Sequence, residues 1–196
     1  MFWRVLSRTI AGALLLGSGL ILAVPAAAND LIGFINVGGG PQGESDQSHR
    51  SAGLDLNLYQ YKRTPRQEIS VGVGYTYLHA NGAGNRVVHG VSIYPQLKLT
   101  PADKRPFQRY LPAGAEPYFL VRFLGPSYLS ERQLGDRKQG RNFTFQAGVG
   151  VGFSVPQSNN RDLHFTLMWK HFSNANLYDD NDGIDVPVVV SFGMTL

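Results

Sequence analysis

The sequence predicts an all-β fold, an eight-stranded antiparallel outer-membrane β-barrel. Three observations predict it. Apolar residues alternate with small or polar ones at period two in eight separate stretches. The less greasy face of those stretches is dominated by Gly, Ser, Thr, Gln and Asn rather than by Lys and Glu, which suits the cramped inside of a narrow closed sheet. Each stretch is roughly 9–13 residues long, enough for a tilted strand to cross the hydrocarbon. Strands in lipid must also close on themselves, because no backbone group can be left unpaired there.

Composition removes other classes. The chain has 196 residues, 43% of them hydrophobic and 16% charged. It has no cysteine, which excludes a disulfide scaffold, a thiol nucleophile and Cys-ligated metal. The formal charge of +4 is weak and scattered, so nucleic-acid binding is not expected. No stretch of the mature chain is apolar for long enough to form a membrane-spanning helix. A soluble lipocalin-like barrel or β-sandwich is the rival reading of the alternation.

The first segment, 1–28, has the pattern of a cleaved secretory signal. Arg4 and Arg8 precede the apolar run Ile10 to Val24, and Ala26-Ala27-Ala28 supplies the small-residue cleavage site. Residues 29–196 then form a single barrel domain. Its strands are read, in order, from Leu31–Gly39, Ser51–Tyr59, Glu68–Tyr77, Val87–Leu99, Pro117–Phe123, Phe143–Ser154, Leu163–Lys170 and Val186–Leu196. An even count puts both ends in the periplasm. Outer loops are then expected near 40–50, 79–86, 125–141 and 174–185, with inner turns near 62–66, 100–115 and 156–161. Pro101, Pro106 and Pro112 argue against a helix in the long inner turn.

The chemistry is concentrated in Lys170-His171-Phe172-Ser173-Asn174-Ala175 and Asn181-Asp182-Gly183-Ile184-Asp185. His171 and Ser173 are two residues apart on a strand, so both project from one face. Their parity matches Phe165, Leu167 and Trp169, which places them on the lipid-facing side at the outer end of the seventh strand. Ionisable groups in that setting favour a function. A serine hydroxyl needs a base, and the base needs an acid to fix its tautomer. Asp185 starts the neighbouring strand and offers that acid, while Asn174 offers an oxyanion donor. Strict alternation through 186–196 would turn Asp185 inward. A bulge near Val186-Pro187 would return it, and Asp182 is the fallback acid, with Asp180 behind it. A His and a Ser standing in an interfacial aromatic girdle also fit the short H-x-S pattern.

These two segments resemble the signature of the lipid A 3-O-deacylase (PagL) family. The family's His-aromatic-Ser-Asn-Ala is met by residues 171–175. Its Asn-Asp-Gly-Ile-Glu is met by 181–185, with Asp185 in place of Glu. The resemblance implies an eight-stranded outer-membrane barrel with His171 as base, Ser173 as nucleophile, Asp185 as orienting acid and Asn174 as oxyanion contributor. It implies hydrolysis of the ester-linked acyl chain at position 3 of lipid A, with lipopolysaccharide as substrate. A non-enzymatic small barrel is the alternative, and homo-oligomerisation is left open. His89 reads as a girdle residue or substrate contact. Arg86, Arg132, Arg137, Lys138 and Arg141 populate outer loops, as solvated charge or as partners of lipid A phosphates. No spacing suggests a metal or cofactor.

Overall fold

Eight long antiparallel strands close into a barrel in the computed structural model, which describes residues 31–196 apart from 44, 83, 85, 159 and 160. The expected leader lies outside the described residues. The barrel strands are β1 (Ile32–Pro41), β2 (Ser48–Thr64), β3 (Gln67–Ala80), β4 (Val87–Leu99), β5 (Glu116–Leu129), β8 (Phe143–Val155), β9 (Leu163–Ser173) and β10 (Ile184–Thr195). Two short strands, β6 (Gln133–Leu134) and β7 (Arg137–Lys138), form a hairpin between β5 and β8. Around the wall the order is β1-β10-β9-β8-β5-β4-β3-β2, so β1 and β10 seal the sheet and no edge remains.

The alternation points outward as expected. Ile35, Val37, Leu54, Val91, Ile93, Val149, Val151 and Leu167 are all exposed on the outer wall. In two strands bulges carry the pairing past residues that break the pattern. β2 shifts register between Asn57 and Tyr59, after which Tyr61 faces outward. β5 shifts register between Arg122 and Gly125 and runs on through Pro126 to Leu129, into what the sequence marked as loop. The long inner turn also differs from expectation. It contains α1 (Arg105–Gln108), a single helical turn. Pro106 stands in the first turn of that helix, where a missing N–H removes no helical bond.

The interior has two zones. In the middle, Asp55 Oδ2 meets Arg122 Nη2 at 2.8 Å and Lys170 Nζ at 3.2 Å, with all three side chains at most 4% exposed. The Arg122 Nε–H donates to Gln96 Oε1 at 3.0 Å, and its guanidinium lies 3.9 Å from the Tyr94 ring centroid. A side chain at Gly72 would come within 2.5 Å of that ring, which explains one of the interior glycines. Towards the outer mouth the filling turns apolar. Leu78, Val88, Leu129, Leu134, Phe172 and Ile184 share one buried cluster. Leu134 is delivered by the β6–β7 hairpin, which folds over the mouth. The interior is thus polar in the middle, while a lid residue converts the outer end into a small hydrophobic core.

Candidate active site

That core sits directly behind the residues singled out by the sequence. Phe172, Ile184 and Val186 are at most 1% exposed and point inward from β9 and β10. Each such buried side chain contributes about 1.5–3 kcal/mol, so this corner of the wall is held firmly. The residues between them point the other way. His171 and Asp185 stand directly opposite each other in the β9–β10 pairing. His171 Nδ1 lies 2.8 Å from Asp185 Oδ1, and the two side chains are 27% and 24% exposed.

The parity of Asp185 is resolved by a bulge. β10 pairs with β9 in one register through Val186 and in another from Val189. The outward face therefore passes from Asp185 to Val188, Val190 and Phe192, which are 46–51% exposed. Pro187 falls within the interruption, where a residue without an N–H breaks no ladder bond.

An imidazole whose Nδ1–H donates to a carboxylate keeps its lone pair on Nε2, the form a general base requires. Two further groups hold the ring. Trp169 stacks on it at 5.4 Å between centroids and 20° between planes. Gly183 packs against its edge: a methyl group there would lie 2.8 Å from Cε1 and 3.5 Å from Nε2. Gly183 also has φ +66°, which glycine adopts without steric cost. Trp169 was legible only as an apolar strand position, and Gly183 only as a letter of the motif.

Ser173 ends β9, two residues beyond His171 and opposite Phe145 of β8. It is 9% exposed. No hydrogen bond joins its hydroxyl to His171 among the described residues; contacts of this kind often tighten only around substrate. The loop that follows is tightly bonded. Ala175, Asn176 and Asp180 all have positive φ, and such strained conformations persist only where surroundings enforce them. Asn174 does the enforcing. Its backbone N–H donates to Asn181 Oδ1 at 2.8 Å, and its amide donates to the carbonyls of Tyr178 and Asp180 at 3.3 and 3.1 Å. The amide expected to donate to an oxyanion is thus engaged within the loop, the buried Asn174 side chain bonding carbonyls of two exposed loop residues.

The remaining candidates separate by position. Asp182 accepts the Lys138 N–H at 2.8 Å, pinning the loop to the β6–β7 hairpin, while the carboxylate on His171 is that of Asp185. His89 Nδ1 pairs with the Tyr75 hydroxyl at 2.7 Å and stands between Tyr75 and Tyr77, as a girdle residue does. Arg137 is buried and donates to the Gly43 carbonyl, so it is a strut of the hairpin and not a free loop charge. Arg141 lies over the Tyr178 ring at 5.5 Å. Arg86, Arg132 and Lys138 are exposed around the outer mouth.

Fold and site together define a small outer-membrane-type barrel carrying a His–Asp pair and a serine on its outer wall. Residues 106–195 match the family Lipid A 3-O-deacylase (PagL), so the resemblance to that family is a finding over this part of the chain. The Bordetella bronchiseptica protein named Lipid A deacylase PagL is 30% identical over 71 residues, 36% of this chain and 38% of that protein. The chain thus matches little more than a third of that relative's length. The crystal structure of the outer membrane enzyme PagL superposes with a TM-score of 0.58 at 18% identity, covering 84% of this chain and 99% of that one. Neisserial surface protein A (NspA) superposes with a TM-score of 0.52 at 14% identity, covering 85% and 96%.

Proposed function

We propose that the chain is an outer-membrane esterase that removes the 3-O-linked acyl chain of lipid A by a Ser-His-Asp mechanism. The observation that carries this reading is the 2.8 Å contact of His171 with Asp185 on the lipid-facing wall, two residues from Ser173 on the same face. The family match and the name of the Bordetella bronchiseptica relative supply the substrate. NspA has the same fold, so the barrel alone argues for no activity; the site does.

In the proposed reaction the Ser173 hydroxyl attacks the ester carbonyl carbon while His171 Nε2 takes its proton. The tetrahedral intermediate collapses, the bond to the sugar 3-oxygen breaks, and His171 returns the proton to that oxygen. Water then attacks the acyl-serine with His171 again as base, releasing the 3-hydroxy fatty acid and restoring Ser173. Asp185 stays ionised throughout, holding the imidazole and stabilising its charged form. General acid–base help of this kind is worth about 10²–10⁴-fold. Asn174 supports the site by shaping the loop, and would serve an oxyanion directly only by releasing a loop carbonyl.

The acyl chain has a surface to follow. Below His171 the outward positions of β9 are Trp169, Leu167 and Phe165. Leu167 and Phe165 line an apolar groove of about 380 Å³ shared with Phe119, Val151 and Val190. At about 3.3 Å per strand residue, Leu167 lies roughly 13 Å down the wall from His171.

The test is the mass spectrum of lipid A from cells expressing the wild type or Ser173→Ala. The reading predicts loss of one 3-hydroxyacyl mass with the wild type only. An unchanged spectrum in both would instead favour a non-enzymatic barrel.

A further inference from the structure

The bulge that brings Asp185 to His171 leaves a gap in the barrel wall. β1 pairs with β10 from Ile32–Thr195 as far as Gly39–Val188 and then stops. Beyond that point β1 offers Gly40 and Pro41, and Pro41 has no N–H to donate. The backbone of Asp185 would be left on that side without a ladder partner, in a partly buried position where an unpaired peptide group is costly, up to about 1–3 kcal/mol when fully buried.

Gln42 fills the gap with its side chain. The Asp185 N–H donates to Gln42 Oε1 at 2.8 Å, and Gln42 Nε2 donates to the Asp185 carbonyl. A primary amide has one acceptor and one donor side by side, as a peptide unit does, so it takes the place of the missing strand residue. Gln42 is itself 4% exposed, and its backbone N–H donates to the Gln47 carbonyl at 3.0 Å. The amide is therefore anchored at both ends.

We propose that Gln42 is a positioning residue for Asp185: its side-chain amide acts as a surrogate β-ladder rung that fixes the backbone of the acid at the bulge, so that the carboxylate stays on His171. The proposal rests on the esterase reading for its kinetic consequence. It names a residue 143 positions from the acid in sequence, outside the segments that carry the family signature.

Gln42→Met keeps length and volume and removes both bonds. Gln42→Glu keeps the acceptor and removes the donor, and serves if the methionine variant does not fold. Purified, folded barrels in detergent micelles are compared for release of 3-hydroxy fatty acid from lipid A, alone and in an Asp185→Asn background. A misplacement of about 1 Å costs about 10²-fold in rate, so kcat is expected to fall about that far in Gln42→Met, with KM unchanged. In the Asp185→Asn background the same substitution should change little, because its effect passes through the carboxylate. The NMR signal of the His171 ring Nδ1–H is followed in parallel, and is expected to lose its carboxylate-bonded, low-field position in the Gln42 variants. An equal loss of kcat in both backgrounds would overturn the proposal, as would an unmoved ring-proton signal. If the wild type releases no fatty acid, the esterase reading fails, and the ring-proton signal still decides the role of Gln42.

Discussion

Lys170 and His171 are adjacent on β9 and look into opposite worlds. Lys170 points into the barrel and shares Asp55 with Arg122, all three enclosed and bonded among themselves. His171 points out and meets Asp185 with about a quarter of each side chain open. Both set a nitrogen group against a carboxylate at similar distance. The first fills space where no substrate can reach it, and its one carboxylate offsets part of the charge of two buried cations. The second is held by neighbours yet left open where membrane lipid passes. On the proposed esterase reading, accessibility to an ester, and not the presence of a carboxylate partner, separates a structural cluster from a reactive one.

Substitutions can break that distinction, and the largest effect belongs to the outer wall. Ser173→Ala should abolish deacylation, a loss of up to roughly 10⁶-fold in kcat by analogy with other serine nucleophiles, while the folded barrel keeps its heat-modifiable gel mobility. Asp185→Asn should keep the fold and lower kcat by about 10⁴-fold, because the amide favours the wrong imidazole tautomer. The inner cluster should behave the opposite way. Asp55→Ala leaves two buried cations without their anion and should cost about 3–5 kcal/mol of stability, read from urea unfolding in micelles, with the turnover of the folded fraction retained. Trp169→Leu should have a smaller effect, since an aromatic stack contributes about 0.5–1.5 kcal/mol; a severalfold drop in kcat would show it. Asp182→Asn should be nearly silent in turnover, because its carboxylate serves the Lys138 N–H. A large loss there would move the acid to Asp182 and undo the contrast.

The strand pattern was readable because period-two alternation is local and repeats in every strand. His171 and Ser173 were readable for the same reason, since parity alone assigns both to one face. Asp185 was harder. Its orientation depends on a bulge that strict alternation cannot contain, although Pro187 marked the spot where the ladder had to fail. What stayed hidden was long-range. Leu134 looks like a loop residue until the hairpin folds it into the mouth, and Gln42 reaches Asp185 only once β1 and β10 have closed the barrel. The loop contacts of Asn174 stayed hidden because its partners, Tyr178 and Asp180, lie within a loop whose positive φ angles carry no periodic signal.

The most direct test of the outer-wall assignment is to expose the purified barrel in micelles to a long-chain fluorophosphonate and to find the adduct by peptide mass spectrometry. A phosphonyl group on Ser173 that disappears in His171→Ala is the predicted result. A barrel that strips the 3-O-acyl chain from lipid A yet carries no adduct on Ser173, or carries it on another side chain, would contradict the assignment.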